Sequence, residues 1–82
     1  MKKIEIHPRA TLDIERGAEF YELQEAGAGR YFTDCILTDI DSLQIYAGVH
    51  ETFLELHRCV SKRFPFTIHY RVIQDLVTIV AI

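Results

Sequence analysis

The sequence predicts an α+β domain in the order β-α-α-β-β-β, a helical hairpin packed on a small, mainly antiparallel sheet. Three observations carry that prediction. Apolar residues recur at helical spacing on both sides of a glycine-rich break at 26–29. The last third changes to alternation and to β-branched and aromatic residues. A short alternating stretch, closed by Pro8, precedes both.

The first strand runs from Lys2 to His7, with Lys3, Glu5 and His7 on one face and Lys2, Ile4 and Ile6 on the other. Pro8 ends it and suits a first helical turn, where its missing N–H leaves nothing unpaired. A first helix is expected over residues 9–26. Ala10, Ile14, Ala18 and Tyr21 form its apolar stripe, and Leu12, Phe20 and Leu23 widen it. Asp13, Glu15, Arg16, Glu19, Glu22 and Glu25 occupy the opposite face. Gly17 sits in the helix interior at a cost of ~1 kcal/mol against alanine. It either admits another element closely or is simply tolerated there.

Ala26-Gly27-Ala28-Gly29 breaks the helix, and Gly27 suits the left-handed position after a C-terminus. A second helix follows over 30–46, with Phe32, Ile36, Ile40 and Leu43 as its stripe and Cys35 beside it. So short a connection makes the pair an antiparallel hairpin. Gly48 marks the exit. Phe53 to Val60 alternates Leu54/Leu56/Arg58/Val60 against Glu55/His57/Cys59, which reads as one strand. Pro65 cannot donate to a ladder and belongs at a strand start or an edge. Thr67 to Ile73 forms the next strand, and Gln74-Asp75 a tight turn. Leu76 to Ile82 is so apolar that it reads as a central strand covered on both faces.

Size and charge bound the rest. The chain has 82 residues, one domain over 1–82. A chain this short buries only about 60% of its unfolded surface, so a bound partner would add needed stability. No apolar run approaches the ~20 residues of a membrane span. The charged start is not a signal peptide, and a cytoplasmic location follows as the default. Cys35 and Cys59 lack metal-type spacing and read as small buried apolar residues. No metal set or cofactor motif is apparent, and His7 and His50 read as surface residues. Residues 1–55 hold 5 Lys/Arg against 11 Asp/Glu, whereas residues 56–82 hold 4 Lys/Arg against one Asp. An acidic first part thus joins a basic last part. Either each merely has a solvated face, or the basic part meets a polyanion or an acidic partner.

The basic residues cluster near groups of chemical interest. Metal-free RNA cleavage needs a base, an acid and cations for the phosphorane charge. His57, His69 and Tyr70 could supply proton transfer; Arg58, Lys62, Arg63 and Arg71 could stabilise charge. His57 and Cys59 should share one strand face, as should Thr67, His69 and Arg71. The commoner situation is that strand charges simply face water, with His69 and Tyr70 as ordinary sheet residues. Phe64 and Phe66 flank Pro65. Either both anchor the sheet on the helices, or one faces the core and the other, exposed beside Lys62 and Arg63, makes a binding hot spot.

Taken together, the charged strand ending in Pro8, the helix with Ala18, Phe20 and Tyr21 before Gly27-Ala28-Gly29, Phe32, and the run Arg58-Cys59-Val60-Ser61-Lys62-Arg63-Phe64-Pro65-Phe66-Thr67-Ile68-His69-Tyr70 before Val77–Ile82 resemble the ParE/RelE toxin superfamily. The resemblance spans nearly the whole chain. Its most specific piece is the basic–Phe-Pro–aromatic–x–Ile–x–Tyr pattern, with Phe64, Pro65, Phe66 and Tyr70 as structural residues. It implies the toxin of a type II toxin–antitoxin system of the plasmid-stabilisation kind, held inactive by a cognate antitoxin. Arg-Phe-Pro-aromatic looks more like the ParE branch, associated with poisoning DNA gyrase. RelE-like toxins instead cut messenger RNA on the ribosome. The expected target-binding residues are Arg58, Lys62, Arg63 and Arg71, and no cofactor is implied.

Two departures bear on activity. Val60 and Thr67 stand where the RelE branch would place further cations, and the chain stops at Ile82 where the family usually continues into a short basic tail. Those departures motivate a further alternative, a degenerate, non-toxic relative. An apolar strand at a sheet edge would also offer a pairing site to an antitoxin segment or to a second copy.

Overall fold

The computed structural model describes residues 1–82, the side chain of Phe53 excepted. Its elements are β1 (Lys3–Ile6), α1 (Pro8–Gln24), α2 (Ala28–Tyr46), β2 (Thr52–Phe53), β3 (Leu56–Val60), β4 (Thr67–Ile73) and β5 (Leu76–Ala81). The five strands form one sheet in the order β1-β5-β4-β3-β2. β1 runs parallel to β5, and the other neighbours are antiparallel. The predicted α+β architecture therefore holds, with the helical hairpin on one sheet face.

Both helices start for local reasons. The His7 imidazole accepts the Arg9 N–H at 3.0 Å and caps α1, with Pro8 in the first turn. Gly27 adopts φ +90° and precedes α2, so it serves as the N-cap of the second helix as well as the turn out of the first. The Glu22 carboxylate then accepts the N–H groups of Gly27 and Gly29, clasping the end of α1 to the start of α2. Close helix crossing depends on glycine. A Cβ on Gly17 would lie 2.7 Å from the Phe32 ring, and one on Gly29 2.4 Å from the Ala18 carbonyl oxygen.

The core lies between hairpin and sheet. Phe32, Ile36 and Leu43 of α2 meet Ile68 and Tyr70 of β4 and Val77 and Ile79 of β5, all fully buried. Tyr21, Phe32, Phe64 and Phe66 form one aromatic cluster, with ring centroids 4.8 Å apart for Tyr21–Phe64 and 5.0 Å for Phe32–Phe66. Among the described residues no helix is long and apolar enough to cross a membrane.

Several expectations need correction. The run from Phe53 to Val60 is two strands, because Leu54 and Glu55 take φ of +53° and +68° and close a two-residue hairpin. Neither is a turn-forming residue type, so alternation continues through the turn. Leu12, Phe20 and Leu23 do not widen the α1 stripe; all three are exposed, because α1 faces only α2 and the sheet. β5 is central, but the helices cover one face of it: Val77 and Ile79 are buried, whereas Leu76 is exposed and Thr78 half-buried. β-branched residues favour strands by χ1 stiffness whether or not both faces are covered. Cys59 is buried while Cys35 is only half so. Phe64 and Phe66 both pack against the core, and neither is the exposed hot spot.

Candidate functional site

Strand register decides which of the basic and titratable residues meet. Arg58 pairs with His69, and Arg71 lies two residues along β4, paired with Thr78. All three therefore project from the sheet face opposite the helices. Directly paired residues hold their Cβ atoms about 5 Å apart. Successive same-face residues along a strand lie about 7 Å apart. Arg58, His69 and Arg71 thus form one short cationic row, with Arg71 exposed and Arg58 and His69 half-buried. Val60 and Thr67 extend the same face toward the β3–β4 connection. Glu5, paired with Thr78 across β5, lies at one end of this face, and Glu51, whose carbonyl accepts the Arg58 N–H at 3.0 Å, stands beside Arg58 at the other.

His57 and Tyr70 fall on the other face. They pair with each other across β3 and β4, and their rings stack at 4.9 Å with 16° between planes. The Tyr70 hydroxyl is fully buried, accepts the Gly48 N–H at 3.0 Å and faces His50 Nδ1 at 2.5 Å. Having accepted from Gly48, it is placed to donate to that imidazole nitrogen. Burial pushes the Tyr70 hydroxyl above the ordinary tyrosine range, with the Gly48 hydrogen bond acting against it. His57 Nδ1 donates to the His50 carbonyl oxygen at 2.8 Å. This network ties the exit from α2 to the sheet. His50 was expected at the surface; it is half-buried and joined to Tyr70 instead. Nothing local marks it, since its partner stands 20 positions away.

Lys62 and Arg63 belong to neither group. Both are exposed in the connection between β3 and β4, where the Ser61 N–H meets the Phe66 carbonyl at 2.8 Å. The Arg63 guanidinium donates to the Tyr31 hydroxyl of α2 at 3.0 Å, so it turns toward the helices and away from the cationic row. Phe64 and Phe66, on either side of exposed Pro65, anchor the same connection in the aromatic cluster.

Of the seven residues named for proton transfer and charge stabilisation, the five on the strands are therefore divided by the sheet. Arg58, His69 and Arg71 face outward, while His57 and Tyr70 face the core. Burial also pushes the Cys59 thiol up, with Asp39 adding to the shift and Lys62 opposing it, which keeps that sulfur protonated and unreactive at neutral pH. No group of three or more His, Cys, Asp or Glu side chains among the described residues is arranged to hold a metal ion.

No protein-family model and no curated protein matches the sequence. Among solved structures, a chain of the "Chromosomal ParDE TA system from P. aeruginosa" superposes with a TM-score of 0.81 at 16% identity. The match covers 99% of this chain and 92% of that one. At that identity the likeness is one of fold, and this chain has the fold of a ParDE-system chain from its first strand to its last.

Proposed function

We propose that this chain is the toxin of a toxin–antitoxin pair, acting by binding a macromolecular target and neutralised by a cognate antitoxin in the cytoplasm. The observation that carries the reading is the cationic row Arg58–His69–Arg71 on the open sheet face of a ParDE-like fold. A row of two arginines suits carboxylates or phosphates, which guanidinium groups grip with paired hydrogen bonds. The proton-transfer groups His57 and Tyr70 lie on the opposite face with their polar atoms engaged inside the fold. That separation favours binding over bond cleavage. DNA gyrase is the target that resemblance to ParE implies.

Inducible expression should arrest growth, and co-expression of the adjacent antitoxin gene should restore it. Replacing Arg58 and Arg71 together by glutamate should abolish the arrest in a variant that still shows a cooperative unfolding transition. Arrest that persists in a folded double variant would sink the assignment of the target surface to this row. A second reading, a ribosome-dependent endoribonuclease, draws on His69 standing opposite Arg58, one potential acid–base group beside a cation. Mapping messenger RNA ends after induction separates the two. Cuts within codons support the nuclease, whereas intact messages with a DNA-damage response support gyrase poisoning.

A further inference from the structure

The open sheet face carries more than its cationic row. Along β4, Ile73 lies two residues beyond Arg71, and along β3, Val60 lies two residues beyond Arg58. The two strands are antiparallel and Arg58 pairs with His69, so these residues follow one another down the face in the order Ile73, Arg71, Arg58, Val60. Each step advances two strand residues, about 7 Å. Ile73 is 60% and Val60 65% exposed, and Leu76 is paired with Ile73. Apolar side chains thus stand in water at both ends of the arginine pair.

Carboxylates flank this line on either side. Glu5 on β1 and Glu51 beside Arg58 are both exposed, toward opposite edges of a five-stranded sheet roughly 19 Å wide. A nucleic acid is therefore a poor occupant. A duplex carries about one negative charge per 1.7 Å of its axis and would set phosphates over Glu5 and Glu51 as well as over the arginines. A single strand is held by rings on which its bases stack, and among the described side chains of the line the His69 imidazole is the one ring. An extended protein segment meets neither obstacle. Its alternate side chains point to one face about 7 Å apart, the step of the line itself.

We propose that the open face takes an acidic segment of a protein, with two carboxylates at alternate positions over Arg71 and Arg58 and an apolar residue two positions beyond each, against Ile73 and Val60. Glu5 and Glu51 are then the specificity-determining residues that turn nucleic acid away. The inference rests on the reading of the cationic row as the target surface, and it names the chemistry of that target. Guanidinium–carboxylate pairs fix the register, the apolar ends add buried area, and the flanking carboxylates repel a ligand whose negative charge extends beyond the line.

The test offers the full chain the peptide Val-Thr-Glu-Thr-Glu-Thr-Val, its isomer Val-Glu-Thr-Thr-Thr-Glu-Val with both glutamates moved to the opposite face, and a short oligouridylate. The first peptide should shift the amide resonances of Arg58 and Arg71 and bind about tenfold or more tightly than either other probe at physiological salt. The double variant Glu5→Lys, Glu51→Lys should gain oligouridylate binding by about tenfold or more. Glu15→Lys, Glu19→Lys makes the same change of net charge on α1 and should gain far less. Equal binding of the two peptides would overturn the proposal. Oligouridylate binding by the unsubstituted chain as tight as that of the first peptide, or an equal gain in the two double variants, would overturn it too. Selective peptide binding by a chain whose expression leaves growth untouched would uphold the site and sink the toxin reading. Growth arrest that needs Arg58 and Arg71, in a chain that prefers oligouridylate, would do the reverse.

Discussion

Tyr70 concentrates several duties in one side chain. Its ring is fully buried against the helices and stacks on His57, and its hydroxyl joins Gly48 to His50. Tyr70→Phe keeps the ring and removes the acceptor of the Gly48 N–H and the hydroxyl facing His50. The expected loss is about 0.5–1.5 kcal/mol in urea unfolding, the net worth of a hydrogen bond whose donor sits on an exposed residue. A loss near zero would mean that solvent replaces the hydroxyl. Glu22 acts in the opposite electrostatic sense. Its hydrogen bonds from Gly27 and Gly29 favour the ionised form and hold the carboxyl below its ordinary value. A carboxyl depressed in the folded state adds stability above its unfolded value, and that contribution is lost as pH falls through the folded one. Glu22→Gln should therefore lower stability at neutral and alkaline pH and flatten its fall on the acid side. Matched urea titrations across the acid range would check this.

At the scale of elements, the hairpin shows what close packing demands. Helix propensity alone makes Gly17→Ala favourable by ~1 kcal/mol. The new methyl would lie 2.7 Å from two ring carbons of Phe32, inside the aromatic cluster. Overpacking of that kind costs about 1–3 kcal/mol, so the substitution should lower the urea midpoint. A raised midpoint would show that the Phe32 ring moves aside freely. The α2 stripe was legible in the sequence because Phe32, Ile36, Ile40 and Leu43 repeat at the helical period and all end buried. The β2–β3 hairpin was not, since Leu54 and Glu55 are forced into a left-handed conformation by strand pairing on either side. That is a tertiary demand with no mark in local residue type.

Across the whole molecule, charge is arranged by layer. The helices expose Glu15, Glu19, Glu22, Glu25, Asp34 and Asp41, while the open sheet face carries Arg58, His69 and Arg71. The acidic first part thus lies largely on the helices, which also expose Arg9, Arg16 and Arg30, and the open sheet face sets Arg58, His69 and Arg71 together with Glu5. Composition revealed the imbalance. Which basic residues meet was beyond its reach, because that depends on register: one residue of slip in β4 would exchange His69 and Arg71 for Tyr70 and Val72. Lys62 and Arg63, grouped with Arg58 by proximity along the chain, are separated from it by a turn that points Arg63 at Tyr31.

The placement of β5 between β1 and β4 governs when the chain can fold during its synthesis. β1 leaves the ribosome first, yet its only described neighbour is made of residues 76–81. Until those residues emerge, Ile4 and Ile6 have no strand to join, and the helical hairpin has only part of its floor. A chain stopped after Asp75 should therefore give no cooperative unfolding transition and be cut rapidly by protease; a protease-resistant core in that fragment would show otherwise. Assembly of the cationic face is thereby deferred until translation of the domain is complete, which leaves an interval in which a partner already present can meet the chain before its sheet closes.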